Sequence, residues 1–194
     1  VRSSDADADT PEGAAELHCS GAVAPSRSDD TWMHIDHASV RSYSCTHAAD
    51  VSTLYATFDT SGLQYGPGYR TLENAWAGGV ACLRRRPTQQ CTQVHPADLD
   101  DAFCTGVLCA NGGSGGGGSE GNECRLPFAV DGVLQQGAPG RLWAAVGRQE
   151  GSEALWVRLG PPDHPPQAQL EGFQSRVLRA VTPAMQRDRF MTSW

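Results

Sequence analysis

The sequence lacks the features that would point to a membrane, secreted or nucleic-acid-binding protein. All 15 basic residues of the 194-residue chain are arginine, and Ile35 is its single isoleucine, a bias that fits GC-rich coding DNA. No apolar run approaches the ~20 residues that a membrane-spanning helix needs. The sequence from Val1 does not show the charged stretch followed by an apolar stretch that is typical of a secretory leader. A net charge of −7 argues against a general nucleic-acid surface. We therefore expect a cytoplasmic protein with neither a nucleic-acid nor a membrane partner, long enough to build one domain with its own core.

The cysteine pattern excludes the common metal and redox motifs. Seven cysteines are present, an odd number, and no two of them form a C-x-x-C pair, so neither a zinc ribbon nor a thioredoxin-like site is indicated. His34 and His37 lie close together, but no third ligand follows at a recognisable spacing. The sequence predicts free thiols in a reducing cytosol, no metal and no cofactor.

The segment 95–103 predicts a helix with an acid in its first turn. Its proline fits the first helical position, because the missing N–H has no helical partner there. The apolar residues Leu99, Phe103 and Val107 recur at helical spacing, with Ala102 and Leu108 beside them, so this face of the helix is expected to be buried. Asp100 then lies at the helix start beside an apolar core. Burial raises the pKa of a carboxyl group and a helix N-terminus lowers it; either shift suits a proton donor or acceptor, although an ordinary first-turn acid gives the same pattern.

Three short motifs occur in the order that is typical of one enzyme family. They are Tyr65-Gly66-Pro67-Gly68-Tyr69, then His95-Pro96-Ala97-Asp98-Leu99-Asp100, then Leu126-Pro127-Phe128. In this order the chain resembles the dehydratase domain of modular (type I) polyketide synthases, whose motifs are Y-G-P-x-F/Y, H-P-x-x-L-D and L-P-F. The resemblance continues through 154–159 and 170–173. Upstream it reaches 17–21, which looks like the strand that closes the family's first half.

The resemblance implies an α+β hotdog fold, in which a curved antiparallel sheet wraps around one long central helix. The family's domain is a double hotdog, and the matching motifs belong to its second, C-terminal half. We expect a flexible segment at 1–16, the hotdog domain at 17–181, and an extension toward the next domain at 182–194. The glycine-rich segment 111–121 is expected to be a flexible linker, natural or engineered, since no Gly-Lys-Ser/Thr follows it.

Local patterns predict the elements of this domain. Asp50 is expected to cap a short helix whose Leu54, Tyr55 and Phe58 share one face. The other expected elements are strands at 16–24, 129–133, 142–148, 154–159 and 169–181, a strand pair at 70–83 that turns at Gly78-Gly79, and a central helix at 96–110. That helix is expected to pack into an antiparallel sheet that includes Trp143, Val146, Leu155 and Val157.

The resemblance implies the chemistry of water loss from a 3-hydroxyacyl thioester held on a carrier protein. The α-proton of the substrate needs a base, and the β-hydroxyl needs an acid. In the family, the histidine of an H-x-x-x-G-x-x-x-x-P motif is the base, and the aspartate of H-P-x-x-L-D donates to the hydroxyl, a role that falls to Asp100. None of the six histidines here has a glycine four residues on. We therefore expect the base-bearing half to be missing from this polypeptide.

The other candidate site residues follow from the same motifs. Tyr65 matches the family's active-site tyrosine, while His95 and Pro96 are expected to shape the helix entry. Cys104 stands where the family usually has Gln or His, and a thiol is a poor hydrogen-bond partner for an acid. With Asp100 as the catalytic residue, the candidate substrate-binding residues are Tyr65, Gly66, Pro67, Tyr69, His95, Pro96, Cys104, Leu126, Pro127 and Phe128.

The resemblance also implies partners, and it leaves three functions open. The partners are an acyl carrier protein with a phosphopantetheine-bound substrate and a second hotdog, from another polypeptide or from a homodimer. The run Arg84-Arg85-Arg86 is typical of a solvated strand end, with a contact to the acidic carrier as the alternative. The chain is either the acid-bearing half of a working dehydratase, a degenerate hotdog kept for structure or docking, or a cyclase that closes rings by oxa-Michael addition. The missing histidine motif and Cys104 favour the second function, and the retained Asp100 favours an active ancestry.

Overall fold

The structure is a computed structural model that describes residues 2–3, 16–17, 19–25, 32–33, 36, 42, 47–86, 92–110, 125–136, 141–162 and 164–177. The chain divides into two compact units, Val1–Thr31 and Trp32–Trp194. In the first unit, strands β1 (Arg2–Ser3) and β2 (Glu16–Leu17) pair antiparallel. The predicted domain bounds 1–16, 17–181 and 182–194 stay a prediction, and both the linker 111–121 and the extension 182–194 lie outside the described residues.

The second unit contains α-helices, a short 3₁₀ turn and a sheet in the part of the chain that the structure describes. The helices are α1 (Val51–Thr60) and α2 (Pro96–Ala110), and the 3₁₀ turn is Pro67–Tyr69. The strands are β3 (Ala48–Ala49), β4 (Leu72–Trp76), β5 (Val80–Leu83), β6 (Arg125–Ala129), β7 (Gly132–Gln135), β8 (Trp143–Arg148), β9 (Leu155–Gly160) and β10 (Ala168–Val177).

All neighbouring strands of this sheet pair antiparallel. Their order is β3-β4-β5-β8-β9-β10-β6, and β7 also pairs with β10. The long strand β10 pairs with β9 on one side and with β7 and then β6 on the other. Its register to β9 shifts between Leu170 and Phe173, where Gly172 has a φ of 67°. Such a bulge bends a strand and increases its twist, and a positive φ favours glycine.

Helix α2 packs closely on β5, β8 and β9. A Cβ atom added at Gly106 would lie 3.2 Å from Leu155 Cδ1 and 3.6 Å from Val146 Cγ1, so glycine permits the close approach. The core under the helix contains Val146 and Val157, whereas Trp143 lies on the opposite face of the sheet, stacked on Trp76. The predicted central helix at 96–110 on an antiparallel sheet is confirmed.

The buried face of α2 matches the predicted one only in part. Ala102 and Leu108 are buried as expected, and Leu99 and Phe103 are partly buried against the core, whereas Val107 is 40% exposed. The fully buried positions of the helix also include small or polar residues that the apolar spacing did not mark, namely Ala97, Asp101 and Thr105. Phe103 stacks on Phe173 of β10, with ring centroids 4.3 Å apart.

Two predicted strands were wrong in extent. The strand expected at 16–24 is limited to Glu16–Leu17, and residues 19–25 are exposed and outside any strand. The strand expected at 129–133 is broken by an exposed turn at Val130-Asp131, where the Asp131 N–H donates to the carbonyl of Glu171. Other elements, including the strand pair that turns at Gly78-Gly79, match within a few residues. Within the described ranges, no helix is long and apolar enough to cross a membrane.

Candidate active site

The segment that carries Tyr65 is held in place by helix α1 and by the side chain of Arg70. Asp50 caps α1 by accepting hydrogen bonds from the hydroxyls of Ser52 and Thr53 and from the N–H of Ser52, and these bonds lower the pKa of its carboxyl to about 2. The Tyr65 ring packs edge-on against two aromatic rings of α1, with centroids 5.8 Å from Tyr55 and 5.5 Å from Phe58. The guanidinium of Arg70 donates to the Tyr65 carbonyl at 2.8 Å. Helix α1 therefore fixes the position of the Tyr65 hydroxyl.

The start of α2 is organised by the His-Pro dipeptide. The Nδ1 atom of His95 accepts a hydrogen bond from the N–H of Ala97 at 3.1 Å, and its carbonyl accepts from the N–H groups of Asp98 and Leu99. Pro96 is the first helical residue. The imidazole thus satisfies a helix N–H that would otherwise lack a partner. This geometry fits the structural role expected for the pair.

Three predicted site residues meet one turn into α2. The Tyr65 hydroxyl is hydrogen-bonded to the carboxyl of Asp100. The Cys104 thiol donates to the same hydroxyl, with 3.4 Å between Sγ and the oxygen. Asp100 and Cys104 are four residues apart and so share one face of the helix. We call Tyr65, Asp100 and Cys104 the acid cluster.

Burial favours the protonated form of all three groups of the acid cluster. It raises the pKa of the Asp100 carboxyl, an effect that the hydrogen bond from Tyr65 opposes. Burial also raises the pKa of the Tyr65 hydroxyl and of the Cys104 thiol well above their usual ranges. A neutral carboxyl beside neutral partners is suited to donating a proton.

The residue after Asp100 forms a second, buried network that sequence patterns did not reveal. The carboxyl of Asp101 is fully buried and accepts from the Tyr55 hydroxyl at 2.7 Å and from the N–H of Thr71 at 2.6 Å. The Thr71 hydroxyl donates to it as well. Burial raises the pKa of Asp101, while these donors lower it. The network joins α2 to α1 and β4; its only signal in the sequence is a second acid next to the motif aspartate.

Arg86 links the turn formed by residues 65–70, which we call the Tyr65 turn, to helix α2. Its Nε donates to Asp98 Oδ1 at 2.8 Å, and its Nη2 donates to the carbonyl of Gly68 at 3.1 Å. The two side chains of the ion pair are 19% and 7% exposed. The arginine run was expected to be a solvated strand end, which is accurate for the exposed Arg84 and Arg85 but wrong for Arg86.

The remaining candidate residues lie outside the acid cluster. Gly66, Pro67 and Tyr69 belong to the exposed turn, and Tyr69 is 46% exposed. The Leu126-Pro127-Phe128 segment lies on β6, where the guanidinium of Arg176 sits 3.3 Å from the centroid of the Phe128 ring. Their predicted contact with substrate stays a prediction.

An open groove of about 500 Å³ lies beside Tyr55, on the side of α1. None of the candidate site residues lines it; its walls are Val51, Ser52, Tyr55, Ala56, Asp59, Arg70, Leu72 and Arg84. The described part of the chain contains no group of three or more His, Cys, Asp or Glu side chains that could hold a metal ion. His34 and His37, which the sequence brings close together, lie outside that part.

Comparison with known proteins gives the family. The family model described as the polyketide synthase dehydratase N-terminal domain matches residues 35–180. The chain belongs to the polyketide synthase dehydratase family. It is similar to polyketide synthase ThaG of Burkholderia thailandensis, 29% identical over 72% of the chain, and to polyketide synthase GfsE of Streptomyces halstedii, 34% identical over 65%. It spans only 2% and 3% of those two proteins.

Solved structures of dehydratase domains share the fold. The CurF dehydratase domain of the curacin polyketide synthase has a TM-score of 0.65 and 19% identity, over 80% of this chain and 56% of that one. The CurK dehydratase domain has a TM-score of 0.62 and 24% identity, over 78% and 54%. Two further CurK structures are described as inactive variants, one with Asp replaced by Asn and one with His replaced by Phe. The α+β hotdog fold expected from the sequence is confirmed.

Which half of the domain this chain represents is a separate matter. The matching family model is named for the N-terminal domain, whereas the motif order predicts the C-terminal hotdog. The chain spans about half of the solved dehydratase domains that it resembles. The assignment to the C-terminal half stays a prediction.

The two neighbouring acids should differ sharply in their effect on stability. Asp101→Asn should lower the free energy of unfolding by about 1–3 kcal/mol, because an amide NH₂ would face one of three buried donors. Asp100→Asn is the matched control and should change it by less than about 1 kcal/mol, since the Asn oxygen can still accept from Tyr65. Urea denaturation of both variants checks this, and an equal or reversed effect would contradict the buried network.

Proposed function

We propose that this chain supplies the acid-bearing half of a 3-hydroxyacyl-thioester dehydratase, with Asp100 as the proton donor. The observation that supports this best is the half-buried Asp100, which keeps a raised pKa while it is hydrogen-bonded to Tyr65. The base would be a histidine of the complementary hotdog half, as the family resemblance implies. The inactive Asp and His variants of CurK agree with an acid–base pair in that protein.

In the proposed reaction, the base removes the α-proton of the substrate and the freed electron pair forms the Cα–Cβ double bond. The Cβ–O bond breaks as Asp100 gives its proton to the leaving oxygen, so the products are an enoyl thioester and water. Tyr65 would donate to the carboxyl oxygen of Asp100 that carries no proton, which would leave the acidic O–H for the substrate. The substrate would be held on the phosphopantetheine arm of an acyl carrier protein in the cytoplasm.

Cys104 supports a second candidate function, a degenerate hotdog kept for structure or docking. The Cys104 thiol donates its hydrogen bond to Tyr65, whereas the Gln or His usual at this position would bond to the acid or to the substrate. A thiol is a weak donor and acceptor, so the substrate would lose one polar contact. An oxa-Michael cyclase would use the same acid cluster, and it is distinguished by its ring-closed product.

A second hotdog would cover exposed apolar surface. Five exposed side chains lie on β6, β7, the turn between them and the end of β10: Leu126, Phe128, Val130, Val133 and Val177. We call this set the β6–β7 patch. Within the described residues, β6 and β7 each pair only with β10, so each leaves a strand edge unpaired. Exposed apolar patches and unpaired edges are typical of interfaces.

Turnover should depend on both the added half and Asp100. The isolated chain should stay near background, because one general acid or base typically contributes ~100-fold to 10,000-fold. With a His-bearing half supplied, Asp100→Asn should abolish turnover, since Asn has no acidic proton to give. The rate should fall as the pH rises through the raised pKa of Asp100, because only the protonated acid can donate. Mass spectrometry of enoyl-thioester formation on a carrier-bound 3-hydroxyacyl substrate measures this.

Cys104→Gln is the matched variant in that assay. It should raise the rate or leave it unchanged, because Gln is the residue usual for the family. Robust turnover by the isolated chain would contradict the proposal, since one of its own histidines, such as His34 or His37, would then be the base. No turnover with the added half, from wild type and Cys104→Gln alike, would favour the degenerate hotdog.

The β6–β7 patch predicts association. Light scattering should find the chain as a homodimer or as a complex with the complementary half. Phe128→Ser should weaken that association, because Phe128 is the most exposed large side chain of the patch. Tyr69→Ser, an exposed aromatic outside the patch, is the control and should leave it unchanged. A stable monomer at high concentration, with and without the added half, would contradict this prediction.

A further inference from the structure

The acid cluster depends on a turn and a helix that no covalent link brings together. The turn from Tyr65 to Arg70 is fastened internally: the Tyr69 N–H donates to the Gly66 carbonyl at 2.9 Å, and the Arg70 side chain donates to the Tyr65 carbonyl at 2.8 Å. These bonds make it move as one body. What fixes its distance from α2 therefore also fixes the distance between the Tyr65 hydroxyl and Asp100.

Arg86 spans that distance with two hydrogen bonds from one planar group. One reaches the Gly68 carbonyl in the turn, and the other reaches Asp98, two residues before Asp100 on α2. Arg86 lies three residues after the end of β5, and Arg84, between them, donates its N–H to the Thr71 carbonyl at 2.6 Å. Arg86 is thus anchored next to the sheet and contacts both the Tyr65 turn and α2.

The chemistry of the bridge suits arginine and no other residue. A guanidinium donates in two directions from a rigid plane, whereas lysine is a point charge on a flexible stem. The Asp98 side chain is only 7% exposed, so the pair is shielded from solvent more than a surface ion pair. Breaking it would leave a buried carboxylate without its partner.

We propose that Arg86 is a positioning residue, which holds the Tyr65 turn at the distance from α2 that closes the acid cluster. Its catalytic importance rests on the proposed function, but its effect on the geometry does not. Without Arg86 the turn should open, and the Tyr65 hydroxyl should leave both Asp100 and Cys104. Cys104, now covered by that hydroxyl, would become accessible while the sheet stays folded.

Native-state alkylation of the 194-residue chain tests this, with peptide mapping to resolve each cysteine. Cys104 and Cys82 are both buried, and Cys82 lies on β5, so it reports opening of the sheet. In Arg86→Ala, alkylation of Cys104 should rise at least about tenfold, the factor expected for loss of a charge-assisted hydrogen bond, while that of Cys82 stays unchanged. The alkylation rate of Cys104 in Arg86→Lys should lie between the rates in wild type and in Arg86→Ala. The control Arg85→Ala, which removes the same charge from an exposed neighbour, should leave both rates unchanged.

Each other outcome overturns the proposal. Equal increases at Cys104 and Cys82 would mean that Arg86 only stabilises the whole fold, and no increase would mean that the aromatic contacts hold the turn. An increase in Arg85→Ala would make the effect one of net charge. In the dehydration assay, Arg86→Ala should lower kcat about tenfold at an unchanged KM. If Asp100→Asn keeps full turnover while Cys104 still opens in Arg86→Ala, the proposed function fails and the positioning role stands.

Discussion

The buried carboxyl of Asp101 is the contact on which the candidate site depends. It accepts from Tyr55 on α1 and from Thr71, the residue before β4, and so it fixes the rotation of α2 about its own axis. Successive residues of a helix are turned by about 100°, so fixing Asp101 also fixes the direction of Asp100. The same Tyr55 ring packs against Tyr65, whose hydroxyl is hydrogen-bonded to Asp100. One buried acid thereby orients its neighbour.

Charge is kept at the edge of the site and excluded from its centre. Asp98 is neutralised by Arg86, and Asp50 is stabilised as a carboxylate by the cap of α1. Within the acid cluster, burial favours the neutral forms of Asp100, Tyr65 and Cys104. Elimination of a hydroxyl group requires an acid that still holds its proton, and burial of a carboxyl away from compensating cations shifts its pKa in the direction that this requires.

The elements that could be predicted from sequence are those with local signals. Proline after His95 located the start of α2, and paired glycines located the β4–β5 turn. The predicted burial of Val107 was wrong because apolar periodicity does not show which residues let the helix approach the sheet, and small or polar residues such as Ala97 and Thr105 take buried positions. Asp101 and Arg86 were missed because their partners are distant in sequence: 30 residues separate Asp101 from Thr71, and 18 separate Arg86 from Gly68. Motif order, by contrast, brought out Tyr65, Asp100 and Cys104, since the family resemblance carries tertiary information.

The central claim is that burial raises the pKa of Asp100 and so favours its protonated form, and carbon-13 NMR titration of the carboxyl groups tests it most directly. The assignment of each resonance comes from Asp100→Asn and Asp101→Asn. The account predicts that Asp100 titrates above the ordinary aspartate value of about 3.9. It also predicts that Tyr65→Phe raises this pKa further, because the hydrogen bond from Tyr65 favours the carboxylate. A pKa for Asp100 at or below the ordinary value would contradict the account.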